Sequence, residues 1–114
     1  MTVMAAYNKI NGVYCTNNHD LLVKVLRNEW GYEGLVMSDW NAMKADPKDP
    51  LIPLSGNIQK AHSDQCDLAC PGRPDQVEAL LKGLENGAVH REDLERSAVR
   101  ILKMIRSNTV LESK

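Results

Sequence analysis

The chain has 114 residues, and its 14 lysines and arginines against 15 aspartates and glutamates give a net charge of −1. This balance gives no electrostatic footprint for nucleic acid, and no stretch approaches the roughly 20 apolar residues of a membrane span. We therefore expect neither nucleic acid nor a membrane as a partner. The length suits one small domain with a modest core.

The cysteines are few and do not form a framework. Cys15, Cys66 and Cys70 are odd in number, and the sequence contains no Asn-X-Ser/Thr glycosylation acceptor. Both facts favour a reducing compartment, which predicts free thiols that act as small apolar residues and a weak preference for the cytoplasm. No second Cys/His pair at ligand spacing accompanies Cys66 and Cys70, so we predict no metal site and no cofactor.

The first part of the chain predicts a strand, a loop and a helix. Residues 2–7 form a short apolar run, and Asn11-Gly12 is a strong turn signal in the loop that follows. Residues 17–20 form a polar capping cluster, after which apolar residues recur at 3.6 spacing up to Trp30 and Gly31 ends the pattern. This pattern predicts an amphipathic helix of about a dozen residues.

A second strand ends in an acid. Residues 34–40 read Gly-Leu-Val-Met-Ser-Asp-Trp, an apolar run that stops at Ser38, Asp39 and Trp40. Strand, helix and strand make a βαβ unit, so we expect the two strands to be parallel. Tyr7 and Asp39 would then lie at one rim, at the carboxyl ends of the strands, where parallel α/β folds carry their chemistry.

The rest of the chain is less regular at first and then helical. Three prolines within residues 47–53 predict an irregular loop, a short helix is expected at about residues 56–63, and residues 66–70 predict a brief buried third strand. Helical spacing then recurs from Asp75 to Gly87 and again from about Arg91. We expect one α/β domain over residues 1–107 and a disordered tail at 108–114.

Several motifs in one order resemble glycoside hydrolase family 3, the β-glucosidase-like enzymes. They are Val3-Met4-Ala5-Ala6-Tyr7-Asn8 with Asn11-Gly12, Leu21-Leu22 through Glu29-Trp30-Gly31, Gly34 to Trp40, and Asp67-Leu68 with Pro71-Gly72. The resemblance implies part of a (β/α)8 TIM barrel, about strands six to eight with helices outside. A complete barrel needs about 200 residues or more.

The resemblance also implies roles for three residues. Asp39 matches the catalytic nucleophile of the family, Tyr7 the tyrosine beside it, and Trp40 the aromatic residue at the sugar-binding rim. The substrate would be a glycoside or oligosaccharide with a terminal β-linked sugar, and a tryptophan after the aspartate is typical of the glucosidase-like members rather than the N-acetylglucosaminidases. The family's acid/base residue and its upstream sugar-binding residues have no counterpart in this sequence.

Each of these residues also has an ordinary structural interpretation. An aspartate after a strand is often a cap or loop acid, Trp40 fits a core position, and Tyr7 fits the end of a strand. Asp67 lies inside a buried strand, which favours hydrogen bonds to backbone amides over contact with substrate. The histidines His19, His62 and His90 occupy cap or surface settings without a partner pattern for catalysis or metal binding.

The sequence thus leads to two functional hypotheses. The first is a fragment of a retaining glycoside hydrolase that carries the nucleophile Asp39 but lacks the acid, so that the chain alone is inactive. The second is a non-catalytic α/β domain that binds a sugar or a partner. Under either hypothesis an incomplete sheet exposes strand edges, which predicts self-association or contact with missing domains.

Overall fold

The computed structural model describes residues 1–52 and 55–108 and shows a mixed α/β fold. Within that part of the chain, no helix is long and apolar enough to cross a membrane. Its elements are β1 (Thr2–Ala5), β2 (Lys9–Ile10), β3 (Val13–Tyr14), a 3₁₀ turn (Cys15–Asn17), a π-helix (Asp20–Glu29), β4 (Leu35–Ser38), β5 (Met43–Lys44), β6 (Gly56–Asn57), α1 (Ile58–Ala61), α2 (Pro74–Asn86) and α3 (Arg91–Asn108).

The centre of the fold is the pair of strands β1 and β4. They run parallel, with Thr2 opposite Leu35 and Ala5 opposite Ser38, which confirms the predicted orientation. The π-helix is the crossover between them, and its last turn is wound wide, with the Trp30 N–H donating to the carbonyl of Val25. Gly31 adopts φ +67°, a left-handed conformation that ends the helix at the predicted place.

The predicted third strand is reduced to one residue. Leu68 forms a single parallel bridge to Met37 next to β4, and the Ser38 N–H donates to the Leu68 carbonyl at 2.9 Å. The bridge does not extend because the N–H groups of Asp67 and Leu68 both donate to the Val36 carbonyl rather than to alternate partners along β4. Residues 66–70 are therefore an extended segment and not a regular strand.

Two small strand pairs were not predicted. The expected loop after Tyr7 is a hairpin, in which β2 and β3 pair antiparallel around Asn11 and Gly12, whose φ angles are both positive at +52° and +80°. This geometry is typical of the two-residue Asn-Gly hairpin turn. The second pair is β5 and β6, which are parallel and flank the proline-rich loop. Strands of two residues are too short to show a periodic pattern.

The expected helix at residues 56–63 is shorter, because β6 occupies its first two positions and α1 spans only Ile58–Ala61. At Gly56 the backbone passes so close to the 3₁₀ turn that a Cβ would lie 2.1 Å from Asn17 Oδ1 and 2.2 Å from Thr16 Oγ1. The Asn17 side chain also accepts from the Asn57 N–H at 2.6 Å and donates to its carbonyl at 3.0 Å. This contact fixes the start of α1 against the core.

The two closing helices confirm the helical pattern of the sequence. Helix α2 begins with Pro74, and its first turn is capped because the Gln76 side chain accepts from the Arg73 N–H. The helix is followed by Gly87, whose φ of +81° ends it. Helix α3 packs against β4. It continues to Asn108, the first residue of the expected tail, and residues 109–114 lie outside the described part of the chain.

The buried core connects these elements into one body. Its members are apolar residues of the strands, the 3₁₀ turn, the π-helix, α1, α2 and the segment before Leu68: Ala5, Cys15, Leu22, Val36, Met43, Ile58, Ala61, Cys66 and Ala79. Cys15 and Cys66 are buried free cysteines, and Cys70 is a half-buried one. Burial raises the pKa of the Cys66 thiol to about 12, so this cysteine stays protonated and acts as an apolar residue.

Candidate active site

The carboxyl ends of β1 and β4 bring Tyr7 and Asp39 to the same rim, as predicted. Tyr7 follows β1 by two residues, and Asp39 directly follows β4. The Asp39 N–H donates to the Ala5 carbonyl at 3.0 Å, which extends the ladder between the two strands by one more bond. The position of the acid is therefore fixed by backbone pairing and does not depend on a flexible loop.

Asp39 has a partly open carboxylate. The residue is half-buried, and its Oδ1 accepts from the N–H of Trp40 at 2.6 Å. Its carbonyl accepts from the Ala42 N–H at 3.1 Å, so residues 39–42 form a tight turn at the end of β4. The side chain is held in one orientation by its own turn while part of it faces solvent.

Tyr7 contacts this turn. Its hydroxyl donates to the backbone carbonyl of Trp40 at 2.5 Å. Partial burial, and then the charge and proximity of the Asp39 carboxylate, raise the pKa of the Tyr7 hydroxyl, so it remains a protonated donor beside the acid. The hydroxyl of Tyr7 thus binds the backbone of the turn that carries Asp39.

Trp40 does not belong to the core. Its side chain is 59% exposed next to the half-buried acid, so the structural interpretation as a core aromatic is wrong. An exposed indole offers a flat apolar face that can stack on the C–H face of a sugar. The structure thus places all three predicted site residues, Tyr7, Asp39 and Trp40, around one turn.

Sequence reasoning missed three neighbours that hold this turn in place. The buried Ser38 accepts through its hydroxyl from the Cys70 N–H at 2.9 Å, and the Asn41 N–H donates to the Cys70 carbonyl at 2.7 Å. Asn41 has φ +57°, and its side chain accepts a weak bond of 3.5 Å from Arg73. Cys70 therefore lies at the same end of the strands as Asp39. The one signal in the sequence for this turn is the tendency of asparagine to adopt a left-handed conformation.

Asp67 is structural, as its sequence context indicated. It is 1% exposed and its Oδ2 accepts from the Val36 N–H at 3.0 Å. The same carboxylate forms ion pairs of 2.8 Å with Arg27 and with Arg100 and accepts from Ser97 at 3.3 Å. The two ion pairs join the π-helix and α3 to the strands, and no local pattern in the sequence revealed them.

His62 is not at the surface, contrary to the sequence interpretation. It is 8% exposed, and its Nδ1 lies 3.0 Å from the Ser97 hydroxyl. Burial lowers the pKa of His62, in spite of the nearby Asp67 and Asp93 carboxylates. Its role is to fasten α1 to α3. Among residues 1–52 and 55–108, no three histidine, cysteine or acidic side chains are grouped so that they could hold a metal ion.

Comparison with known proteins identifies the family of this chain. The family described as "Glycosyl hydrolase family 3 N terminal domain" matches residues 1–104. A β-glucosidase of Rhizobium radiobacter is 38% identical over 104 residues, which are 90% of this chain and 11% of the relative. The thermostable β-glucosidase B of Acetivibrio thermocellus is 37% identical over 106 residues, 90% of this chain and 12% of the relative.

A solved structure gives the same result. The β-glucosidase 3B of Thermotoga neapolitana, in complex with glucose, superposes with a TM-score of 0.76 at 38% identity over 91% of this chain and 14% of the other. The fold and the rim at β1 and β4 thus define a portion of a glycoside hydrolase. The chain belongs to glycosyl hydrolase family 3, and it spans about a tenth of the length of the curated relatives it matches.

Proposed function

We propose that this chain supplies the nucleophile and part of the sugar-binding rim of a retaining, β-glucosidase-like glycoside hydrolase that removes terminal β-linked sugars. Asp39 would be the nucleophile, and Tyr7 and Trp40 would contact or frame the sugar. The chain would form about strands six to eight of a (β/α)8 barrel with helices outside, with β1, β4 and the segment around Leu68 as those strands. Residues 1–107 would be one domain unit.

The observation that supports this proposal most is the arrangement around the turn at residues 39–42. A half-buried carboxylate, a protonated phenol and an exposed indole meet at the carboxyl ends of two parallel strands. That end is where barrel enzymes place catalytic residues. The relatives named above add weight, because two are called β-glucosidases and one is solved with glucose.

The chemistry would proceed in two steps. A carboxylate oxygen of Asp39 attacks the anomeric carbon, a C–O bond to the enzyme forms, and the bond to the leaving group breaks as a second carboxyl group protonates the departing oxygen. Water then attacks the anomeric carbon and gives a proton to the second carboxylate, and the C–O bond to Asp39 breaks to release the sugar and the free carboxylate. Because the Trp40 amide fixes Oδ1, the other oxygen can be directed at the sugar. Retaining enzymes hold the second carboxyl about 5–5.5 Å away.

The acid would come from another part of a longer protein. General acid catalysis is typically worth about 10²- to 10⁴-fold, so the 114-residue chain should turn over natural glycosides little or not at all. Within this chain Tyr7 would keep the turn at Trp40 in place by its bond to the backbone, and Trp40 would stack on the sugar.

We also infer that the unpaired edge of β1, together with the apolar groove beside it, contacts missing parts of the barrel. Within the described residues β1 pairs only with β4, so its other edge is open. Beside this edge lies an apolar groove of about 290 Å³, lined among others by Met4, Leu22, Val25 and Trp30, and the Trp30 side chain is 73% exposed. In the isolated chain the same surface should cause self-association, which light scattering over a range of concentrations can detect.

A fluorinated aryl glycoside tests the catalytic proposal, because an activated leaving group removes the need for the acid. In the full-length parent enzyme we expect the label on the peptide that contains Asp39, and Asp39→Asn should abolish it. Asp46→Asn, an exposed loop acid nearby in sequence, is the matched control and should label normally. Attachment to a different carboxylate in the parent would refute the assignment, and hydrolysis of cellobiose by the 114-residue chain alone would show that it contains an acid.

A further inference from the structure

A basic groove lies at the opposite end of the strands from Asp39. It has a volume of about 570 Å³ and is formed by the end of the π-helix, the segments that lead into β4 and into Asp67, and one face of α3. Four cationic side chains line it: Arg27, Arg96, Arg100 and Lys103. The groove is separate from the proposed sugar rim, because it lies before β4 and Asp39 follows that strand.

The cations of this groove exceed the acids that neutralise them. Arg27 and Arg100 share the single carboxylate of Asp67, so one positive charge of that buried cluster is not balanced. Lys103 is exposed, and within the described part of the chain no carboxylate lies at ion-pair distance from it. An excess of positive charge in a groove with low-dielectric walls raises the local concentration of anions there.

The remaining charges do not cancel this excess. Arg96 pairs with Asp93 at 2.7 Å and donates to the His62 carbonyl, and Glu33 is the one carboxylate in the lining. The Nε–H groups of Arg27 and Arg96 are buried without an acceptor among residues 1–52 and 55–108. The fold therefore leaves two guanidinium N–H groups of the groove-lining arginines without a partner in the described residues.

We propose that this groove binds a small oxyanion, either a phosphate or a carboxylate group. Arg27 contributes only charge, because the carbonyls of residues 32, 34 and 65 and the Asp67 carboxylate already accept from its terminal nitrogens. Arg100 gives one bond each to Asp67 and Gln65, so it retains N–H groups that match the oxygens of such an anion, and Lys103 adds a point charge. Because Arg27 and Arg100 reach different oxygens of Asp67 from two helices, a bound anion would also strengthen the link between the π-helix and α3. This inference is independent of the proposed catalytic role of Asp39.

Thermal unfolding of the 114-residue chain tests the site. With inorganic phosphate in place of chloride at equal ionic strength, we expect the unfolding temperature to rise by about 4 °C as the anion saturates the groove. Succinate in a parallel titration distinguishes the two ligand chemistries: a larger rise with phosphate identifies a phosphoryl site, and a larger rise with succinate a carboxylate site. Equal unfolding temperatures in all three salts would refute the proposal.

Charge-reversal variants distinguish a specific anion site in the groove from general electrostatic attraction of phosphate to the protein. Lys103→Glu should weaken the apparent phosphate affinity by at least about fivefold, because one charge-assisted contact is lost and a repulsion is gained. Lys82→Glu makes the same change in net charge on α2, away from the groove, and should leave the affinity unchanged. Equal weakening by both variants would show that phosphate responds only to overall charge and would overturn the assignment.

Discussion

Two aspartates at the strands of this fold differ completely in their surroundings. Asp67 is 1% exposed, and its two oxygens accept from two arginines, a serine and a backbone amide. Asp39, at the other end of β4, is half-buried and has one bond of 2.6 Å to the amide of its own neighbour. Both carboxylate oxygens of Asp67 already accept hydrogen bonds from within the fold, whereas Asp39 retains accessible surface for another molecule.

This contrast separates an acid that stabilises the fold from one that is open to a ligand. A carboxylate surrounded by fixed donors cannot accept a new bond without breaking an old one, so Asp67 can contribute only to cohesion. A carboxylate held by its own turn, as Asp39 is, keeps an oxygen for the reaction proposed above. The two acids are 28 positions apart in sequence, yet their neighbours in space, not in sequence, determine which role each has.

The largest effect should follow removal of the charge at Asp67. Asp67→Asn leaves Arg27 and Arg100 without their shared carboxylate, and breaking a buried pair of this kind costs about 3–5 kcal/mol. Since small domains have about 5–15 kcal/mol in total, this loss would remove a large share of the stability of the chain. Urea denaturation followed by circular dichroism measures the loss. Asp20→Asn, which removes an exposed pair with Lys24, should change little.

A smaller loss is expected at Ser38, the residue before Asp39. Ser38→Ala removes the acceptor of the Cys70 N–H and should destabilise the chain by about 1–2 kcal/mol. Ser63→Ala, whose exposed hydroxyl donates to the Lys60 carbonyl, is the matched control and should have less effect. Equal urea midpoints for Ser38→Ala and the unaltered chain would show that the turn does not depend on this bond.

The buried histidine next to Asp67 should make stability depend on pH. The pKa of His62 is lower in the folded chain than its ordinary value near 6.5, so the unfolded chain takes up the proton first. The contribution of neutral His62 to the free energy of unfolding is therefore complete above about pH 6.5. This contribution is lost as the pH falls from there through the pKa of His62 in the folded chain. Urea midpoints measured from pH 8 to pH 5 should decline less for His62→Gln, while the exposed His90→Gln should behave like the unaltered chain.

The smallest effect on stability should occur at Asp39 itself. Asp39→Asn keeps the shape of the side chain and an oxygen for the Trp40 amide, so the free energy of unfolding should change by no more than about 0.5 kcal/mol. The same substitution should abolish labelling by the fluorinated glycoside in the parent enzyme. A loss of stability close to that of Asp67→Asn would place both acids in the same structural class and would remove the contrast drawn above.

Local pattern was enough to predict the long elements. The parallel pair β1 and β4, the crossover helix and the helices α2 and α3 follow from apolar spacing together with Gly31 and Gly87 at two helix ends. The rim also followed, because parallel strands present their carboxyl ends on one side. Those features depend on contacts within a few residues or on a general rule of topology.

Features that depend on distant contacts could not be predicted. The ion pairs of Asp67 join residues 33 to 40 positions apart, and His62 is buried only because α3 covers it. The β5–β6 pair has only two residues in each strand, so it leaves no periodic signal. The basic groove likewise requires the π-helix and α3 to be adjacent, and neither helix alone indicates it.

The close approach at Gly56 limits which residues can occupy this position. Any side chain would place its first carbon about 2.1 Å from the Asn17 side chain, well inside contact distance, and both segments belong to the buried interior. In a library that contains all residues at position 56, only glycine should yield soluble folded chains. Gly72 has no atom within 4 Å of the corresponding site, so a library there should tolerate most residues.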